Sequence, residues 1–233
     1  GVSPEAKRKI EKIVAAHHFV PNNNARHLKQ TSSRTIVVLV KGTSNMLFSS
    51  IVEQIQKKVE MTRYLVNIIY MDEEANEGKE AIAVCRERKP LGMLLLGGNP
   101  NFLEQSFGHV NVPCVLVTVR GNKFNFPNLS SVAIDDEAAA EFAIDYLFSQ
   151  GHQKIGILGG DFAISDISRQ RYQGCIRCFQ KYGMEFDKHR YYESSRFSYQ
   201  DSYEAMKRLF QKTKDLTVVF AMSDVMAIGA IRA

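Results

Sequence analysis

Apolar and polar residues follow two different patterns along most of this chain. Short runs that are almost entirely apolar, such as TIVVLV at 35–40 and GMLLLGG at 92–98, are typical of strands buried on both faces of a sheet. Between these runs, apolar residues recur every three or four positions, as at Ile51, Ile55 and Val59, and this spacing predicts amphipathic helices. Strands that alternate with helices in this way predict parallel sheets with helices on both faces.

The strand–helix pattern occurs twice, so we predict an α/β fold with two doubly wound parallel-sheet lobes, 34–150 and 151–233. The predicted strands of the first lobe are 35–40, 65–70, 92–98, 113–119 and 130–135. Its predicted helices are 47–62, 75–88, 101–107 and 136–149. The second lobe has predicted strands at 154–160, 191–193 and 217–221 and predicted helices at 168–182, 199–211 and 224–232. Because the chain lacks an initiating methionine and stops within a helical pattern, we interpret it as a fragment of a longer protein.

The first 33 residues differ from the rest of the chain. Residues 3–18 have helical spacing, with Ser3 as a capping residue and Pro4 in the first turn. After Pro21 the sequence is short, polar and basic, and Leu28 is its one large apolar residue. This segment cannot build a core of its own, so we predict the end of a small domain at 1–20 and a linker at 21–33.

Composition and charge narrow the function classes. Hydrophobic residues make up 45% of the 233 residues, which is enough for a full core, and no apolar run approaches the ~18 residues that a membrane-spanning helix needs. No stretch resembles a signal peptide. The formal charge of +5 is concentrated in residues 1–35, which carry seven basic and two acidic residues, while the remainder has 23 of each. This distribution predicts that the basic leader contacts a polyanion.

No catalytic or metal-binding constellation assembles from the sequence. The glycine pairs that end two strands do not form a phosphate-binding loop, and no serine lies in a G-x-S-x-G motif. Cys175 and Cys178 form a C-x-x-C without further ligands nearby, and we interpret them as reduced helix cysteines. The six histidines are scattered. We therefore expect no metal, no cofactor and no enzymatic activity.

Polar residues follow several predicted strands. Ser44 and Asn45 follow the first strand, Asp135 and Asp136 the fifth, and Asp224 the last. Ligands of open α/β sheets bind just outside the carboxyl ends of the strands, which makes these residues candidate ligand contacts. Asp136 and Asp224 could equally cap the helices that begin there, and the sequence leaves that alternative open.

Five sequence blocks carry a resemblance to a known family. They are VSPEAKRKI…AHHFVPNNNARHLK within 2–29, SNMLF at 44–48, AIDDEAAAEFAIDYLFSQGHQKIGILGG at 133–160, RYQG at 171–174 and AMSDVMAIGAIRA at 221–233. The chain resembles bacterial transcription regulators of the lactose/galactose repressor (LacI/GalR) family over its whole length, with the blocks in family order. The resemblance implies two lobes of the type I periplasmic-binding-protein kind, preceded by the last helix of a helix-turn-helix headpiece and by a hinge helix. The first two headpiece helices and the closing strands of both lobes are absent from this sequence.

The resemblance also implies DNA contacts. In the family, two hinge helices, one from each subunit of a homodimer, enter the minor groove of a double-stranded operator. The matching positions here are Asn22, Ala25, Arg26, Leu28 and Lys29. Leu28 would wedge between base steps, as apolar side chains do in bent duplexes, or would alternatively pack against its own headpiece. The helix at 47–62 would lie near the dimer interface.

A cleft between the lobes would bind a small effector. The positions that match the family's cleft residues are Asn45, Leu47, Phe48, Asp135, Asp136, Ile167, Arg171, Phe197 and Asp224. Such residues suit a sugar or related polyol, because aspartate and arginine bond hydroxyls and phenylalanine stacks on a pyranose face. A purine could use the same residue types, and Phe197 could instead belong to the core. The resemblance thus implies a cytoplasmic repressor controlled by a small molecule.

Two other function classes fit less of the sequence. A sugar-binding protein for transport would share the cleft, but it would need a signal peptide or lipid anchor and would have no use for a basic leader. An α/β enzyme would need a phosphate loop or a catalytic set. Binding to duplex DNA that depends on salt concentration distinguishes a repressor from both.

Overall fold

A computed structural model of the chain describes residues 3–16, 34–42 and 45–233. The chain divides into two compact units, 1–33 and 34–233. In the first unit, helix α1 spans Pro4–Ala16, and the hydroxyl of Ser3 accepts a hydrogen bond from the backbone N–H of Ala6 (3.3 Å), as expected of a capping residue. The predicted hinge positions, namely Asn22, Ala25, Arg26, Leu28 and Lys29, lie outside the described residues, as does Ser44.

The second unit contains strands and helices in alternation. The strands are β1 (Thr35–Lys41), β2 (Leu65–Met71), β3 (Gly92–Leu96), β4 (Cys114–Val117), β5 (Leu129–Val132), β6 (Ile155–Gly159), β7 (Tyr192–Ser194) and β8 (Val218–Ala221). The helices are α2 (Met46–Glu60), α3 (Glu77–Arg88), α4 (Pro100–Ser106), α5 (Asp136–Ser149), α6 (Asp166–Lys181), α7 (Lys188–Tyr191), α8 (Tyr199–Lys212) and α9 (Asp224–Arg232), with a 3-10 turn at Phe107–His109. No helix among the described residues is long and apolar enough to cross a membrane.

The strands form two parallel sheets, which confirms the predicted fold class. The first has the order β2-β1-β3-β4-β5 and the second the order β7-β6-β8. Every strand pair is parallel; Val38 of the inner strand β1, for example, is in register with Ile68 on one side and Leu94 on the other. Parallel pairs need crossover helices, which accounts for the alternation seen in the sequence.

The period of two along β1 divides the first core into two faces. Val37 and Leu39 join the cluster on one face of the sheet, whereas Val38 and Val40 join Phe48 of α2 on the other. All four β1 residues are at most 1% exposed. A strand in this position must therefore be apolar at every residue, as the TIVVLV run is.

Helix α5 packs with the second sheet, although its sequence position places it in the predicted first lobe. Its buried residues Ala140, Ile144 and Phe148 lie in the same cluster as the β6 residues Ile155 and Ile157. The boundary at residue 150 was predicted from the order of the elements along the chain. It assigns α5 to the first lobe, although α5 is buried in the core of the second sheet.

The approach of α5 to α6 explains the glycine of the RYQG motif. A Cβ atom on Gly174 would lie 2.0 Å from the backbone carbonyl oxygen of Glu137 and 3.1 Å from the backbone nitrogen of Glu141. Both atoms belong to the backbone of the facing helix, so no side chain can rotate away. Only glycine allows the two helices to pack this closely.

We predict that Gly174→Ala destabilises the protein by roughly 1–3 kcal/mol, because the added methyl group forces α5 and α6 apart. Urea unfolding of both proteins measures the difference. Gly108→Ala is the matched control, since a Cβ atom there has nothing within 4 Å and should leave the midpoint nearly unchanged. Equal midpoints for Gly174→Ala and the wild type would show that the helices do not approach as described.

Candidate functional site

The carboxyl ends of strands from both sheets border one cleft of about 860 Å³. This volume lies within the range of about 300–1,000 Å³ that is usual for small-molecule sites. The residues that directly follow seven of the strands line it: Gly42, Asp72, Gly97, Thr118, Gly160, Ser195 and Met222. The cleft thus has the position that ligand sites take in open α/β folds.

Seven of the nine residues predicted from the sequence line this cleft. Asn45, Leu47 and Phe48 come from the first sheet's side, and Ile167, Arg171, Phe197 and Asp224 from the second sheet's side. The structure therefore brings together residues that are up to 179 positions apart in the chain. That each contacts a ligand remains a prediction.

The segment that enters α2 places three of these residues. Asn45 caps the helix, because its side-chain oxygen accepts a hydrogen bond from the N–H of Leu47 (3.0 Å). Leu47 is 56% exposed, whereas Phe48 turns inward and is 7% exposed. Gly97 has a φ of +75°, and a Cβ atom there would lie 3.1 Å from the Phe48 ring. The first glycine of the pair at 97–98 therefore makes room for Phe48 at the edge of the cleft.

Asp135 and Asp136, the other two predicted residues, do not reach the cleft wall. Asp135 caps α5 through the N–H of Ala138 (3.0 Å) and pairs with Arg120 (2.8 Å). Its pKa lies below the ordinary value, because the Ala138 N–H and then the Arg120 guanidinium donate to the carboxylate. Asp136 is buried and binds Arg171 from behind, at 2.8 Å from Nε and 2.7 Å from Nη2.

Arg171 is held in place by more than this ion pair. Its Nη1 also donates to the backbone carbonyl of Met222. The side chain is 24% exposed and lines the cleft. Asp136 thus serves the site by positioning Arg171, and it does not face the cleft itself.

Asp224 is not the residue that caps its helix. Ser223 is the capping residue of α9, and its side chain accepts from the N–H of Met226 (3.4 Å). Asp224 is exposed, lines the cleft and forms no ion pair with any described residue. Phe197 has both of the roles considered for it, since it lines the cleft and also packs against the core of the second sheet.

Ion pairs connect the two sides of the cleft, and the sequence analysis did not predict them. Arg196, after β7, donates from Nη2 to both carboxylate oxygens of Asp72 (3.0 and 2.9 Å) and from Nε to Glu73. We call these three side chains the latch. The pKa of Asp72 is lowered, because the Glu74 N–H and then Arg196 donate to it, and the pKa of Arg196 is raised by Glu73 and Asp72. The acidic run DEE at 72–74 directly follows β2. Because ligands bind outside the carboxyl ends of such strands, this run could have indicated Asp72 as a cleft residue.

A buried ion pair lies beneath the first side of the cleft. Lys41 Nζ is 2.6 Å from Glu77, and the two side chains are 8% and 1% exposed. Glu77 also accepts from the backbone N–H of Asn99, whose side-chain nitrogen donates to the carbonyl of Ile164 (3.1 Å). These bonds give the two sides of the cleft a second connection.

Thr118 is a further residue that the sequence did not indicate. It follows β4 with a φ of +71°, a conformation rare for a β-branched residue, and it lines the cleft. Its hydroxyl is buried without a hydrogen-bond partner among the described residues. Since an unpaired buried hydroxyl is costly, this group is available to a ligand.

Comparisons with known proteins agree with this geometry. The profile of periplasmic binding proteins and the sugar-binding domain of the LacI family matches residues 33–233. The HTH-type transcriptional regulator MalR of Clostridium butyricum is 32% identical over 241 residues, which cover all of this chain and 70% of MalR. The HTH-type transcriptional repressor CytR of Escherichia coli K12 is 31% identical, over 99% of this chain and 66% of CytR. The chain thus spans about two thirds of the length of these relatives.

Solved structures share the fold. A lac repressor dimer bound to operator and the anti-inducer ONPF has a TM-score of 0.79 at 20% identity, covering 100% of this chain and 69% of the repressor chain. The complex of transcriptional regulator CelR with cellobiose has a TM-score of 0.71 at 22% identity, over 99% of this chain and 69% of CelR.

The fold and the cleft define a two-sided α/β ligand-binding protein of the periplasmic-binding-protein type. Within that class, the chain belongs to the LacI family, as its sequence blocks predicted. Its relatives MalR and CytR are named as transcription regulators, which favours a regulator over a transport protein and is consistent with the absence of catalytic motifs in the sequence.

Removing the charge of Asp136 tests its role behind Arg171. We expect Asp136→Asn to cost about 2 kcal/mol, less than a fully buried pair, because Arg171 retains some contact with water. Chemical denaturation measures the loss. Asp135→Asn is the adjacent control and should change stability little, because asparagine caps helices as well as aspartate does. Equal losses in the two variants would contradict the positioning role.

The latch should respond to pH in one direction. A carboxylate whose pKa is lowered by folding stabilises the protein above its unfolded pKa, and this contribution is lost as the pH falls through the folded pKa. The stability difference between wild type and Arg196→Gln should therefore stay constant from about pH 5 to 8 and shrink below about pH 4.

Urea midpoints measured across this pH range test the expectation. Arg232→Gln, which removes an exposed arginine without an ion pair among the described residues, should differ from wild type by an amount that does not change with pH. A difference for Arg196→Gln that does not shrink at all between pH 5 and the lowest pH at which the protein stays folded would show that the latch carboxylates contribute nothing.

Proposed function

We propose that this chain is the effector-binding part, with the adjoining hinge, of a transcription repressor that is controlled by a small sugar. The observation that carries the proposal is the cleft, where the strand ends of two parallel sheets bring together Arg171, Asp224 and five other residues of the family's ligand positions. The similarity to the transcription regulators MalR and CytR supports regulation, and the similarity to a ribose operon repressor of Haemophilus influenzae, 25% identical, supports a sugar.

The chemistry of the cleft suits hydroxyl groups. The Arg171 guanidinium can donate charge-assisted hydrogen bonds, and the Asp224 carboxylate can accept them. The Thr118 hydroxyl can do either, and the Phe197 ring offers an apolar face to a pyranose. A purine is a second possible effector, because a base can also stack on Phe197 and bond to Asp224.

Effector binding would act through the equilibrium between the two sides of the cleft. A ligand that contacts both sides favours the arrangement in which the latch is formed, and it shifts the population by its differential affinity. In the proposed repressor, this shift changes the affinity for double-stranded operator DNA. Asn22, Ala25, Arg26, Leu28 and Lys29 remain the proposed hinge contacts to DNA, in a homodimer that acts in the cytoplasm.

Ligand binding to the cleft is measured by calorimetry with sugars, nucleosides and purines. A specific ligand at 100 times its Kd should also raise stability by about 2.7 kcal/mol. We expect Arg171→Lys to weaken binding by roughly 10- to 100-fold, because a charged hydrogen bond of about 1.5–3 kcal/mol is lost. Arg177→Lys on the same helix is the matched control, since Arg177 pairs with Glu137 and Glu141 outside the cleft lining.

DNA binding by the complete protein then distinguishes the two function classes. A repressor binds duplex DNA with an affinity that falls steeply with salt concentration, and the ligand found above changes that affinity. A transport protein would bind the sugar but would not bind duplex DNA. Ligand binding that Arg171→Lys and Arg177→Lys reduce equally, or DNA binding that is insensitive to every ligand, would contradict the proposal.

A further inference from the structure

The charges that line the cleft do not reflect the charge of the chain. The chain as a whole carries a formal charge of +5. The cleft is lined by four basic residues, Lys41, Arg171, Arg196 and Arg208, and by seven acidic residues, Asp72, Glu73, Glu74, Asp161, Asp201, Glu204 and Asp224. A basic protein therefore has a cleft whose lining carries a formal charge of −3.

Each of the four basic side chains is already paired with a carboxylate. Lys41 binds Glu77 (2.6 Å) and Arg171 binds Asp136 (2.7 Å). Arg208 binds Glu193 (2.7 Å), which also binds Lys212 outside the cleft lining. All three acidic partners are buried behind the lining. Arg196 binds the two latch carboxylates. Each of these four cations thus has at least one carboxylate partner, and only Arg208 shares its partner with another cation.

Several acidic side chains of the lining, in contrast, have no basic partner among the described residues. Glu74, Asp161, Asp201 and Asp224 form no ion pair with any described residue. Asp161 accepts one backbone hydrogen bond, from Ala163 (2.8 Å), and Asp201 accepts one from the Ser198 hydroxyl. Their remaining lone pairs are acceptors for hydroxyl or ammonium groups.

Helix ends do not reverse this balance. Helices α2, α6, α8 and α9 begin at the cleft, and helix N-termini favour anions. Each of the four has a side-chain cap from its own chain, provided by Asn45, Ser165, Ser198 and Ser223. In addition, α6, α8 and α9 carry an aspartate in the first turn. The chain's own oxygens thus already compensate these positive ends.

We propose that the cleft takes an uncharged or positively charged polyhydroxy compound, such as an unmodified sugar or an amino sugar, and rejects phosphorylated and carboxylated ones. An anion would meet unpaired carboxylates and no free cation, and like charges repel more strongly where water is partly excluded. The identification of the ligand rests on the proposed function. The sign of the potential in the cleft does not, and it can be measured without any ligand.

The potential is measured with cysteine variants and two methanethiosulfonate reagents of similar size, one with a trimethylammonium group and one with a sulfonate. Met46→Cys and Ile164→Cys place a thiol on either side of the cleft. Met61→Cys, at a residue 89% exposed and outside the lining, is the reference. Wild-type protein gives the background from the native cysteines, of which Cys114, Cys175 and Cys178 are buried.

At low salt, we expect the ratio of cationic to anionic reaction rates to be at least tenfold higher at both cleft thiols than at Met61→Cys. The excess should fall toward the reference in high salt and when Asp161, Asp201 and Asp224 are changed together to Asn. Changing the exposed Glu87, Glu104 and Glu185 to Gln removes the same charge outside the cleft lining and should leave the ratio high. Equal ratios at all three thiols, or faster anionic reaction in the cleft, would overturn the proposal.

Matched ligands test the same inference by affinity. Calorimetry compares glucose, glucosamine and glucose 6-phosphate, then ribose with ribose 5-phosphate and the purine nucleoside adenosine with its 5′-monophosphate. For any skeleton that binds, the phosphorylated form should bind at least tenfold more weakly. Tighter binding of a phosphorylated form refutes the charge selection. Failure of the whole panel counts against the proposed effector function, and the thiol rates still decide the charge of the cleft.

Discussion

The buried pair of Lys41 and Glu77 is the interaction on which the arrangement of the cleft depends. It joins the end of the inner strand β1 to the first turn of α3, and through the Asn99 N–H it also fixes the start of α4. Asn99 then reaches the carbonyl of Ile164, just before α6. Burying two charges costs desolvation energy that their attraction barely repays, so the value of this pair lies in the geometry that it specifies.

That geometry determines which side chains can act on a ligand. Parallel strands end at one edge of each sheet, and the chain must turn there into the next helix. Polar capping residues are needed at those turns, and Asn45, Ser165, Ser198 and Ser223 supply them. Because the caps satisfy the helix ends, neighbouring charged residues such as Asp161 and Asp224 are left free to face the cleft. The arginines are instead fixed by carboxylates behind the wall, as Arg171 is by Asp136.

Local pattern was sufficient to predict the fold and most of the cleft. The TIVVLV run predicted a strand buried on both faces, and the RYQG and AMSDVMAIGAIRA blocks placed Arg171 and Asp224 on helices that begin near strand ends. Spacing could not show that Asp136 faces away from the cleft, since adjacent residues in the first turn of α5 point in different directions. Nor could it show that Ser223, and not Asp224, is the cap.

The remaining features that the sequence did not predict depend on contacts between residues far apart in the chain. Arg196 meets Asp72 across 124 positions, and nothing in either local sequence names the partner. The packing of α5 against the second sheet has the same origin, because Gly174 permits a helix contact that the order of elements does not imply.

The distribution of charge depends both on the sequence and on the contacts that form when the chain folds. The sequence places its excess positive charge in residues 1–35 and leaves the remainder balanced. Folding then divides this balanced remainder unevenly. Its cations at the cleft are paired with buried acids such as Glu77 and Asp136, whereas acids such as Asp161 stay unpaired at the surface of the cleft. The proposed function accordingly assigns the positive segment to a polyanion and the negative cleft to an uncharged or cationic polyol.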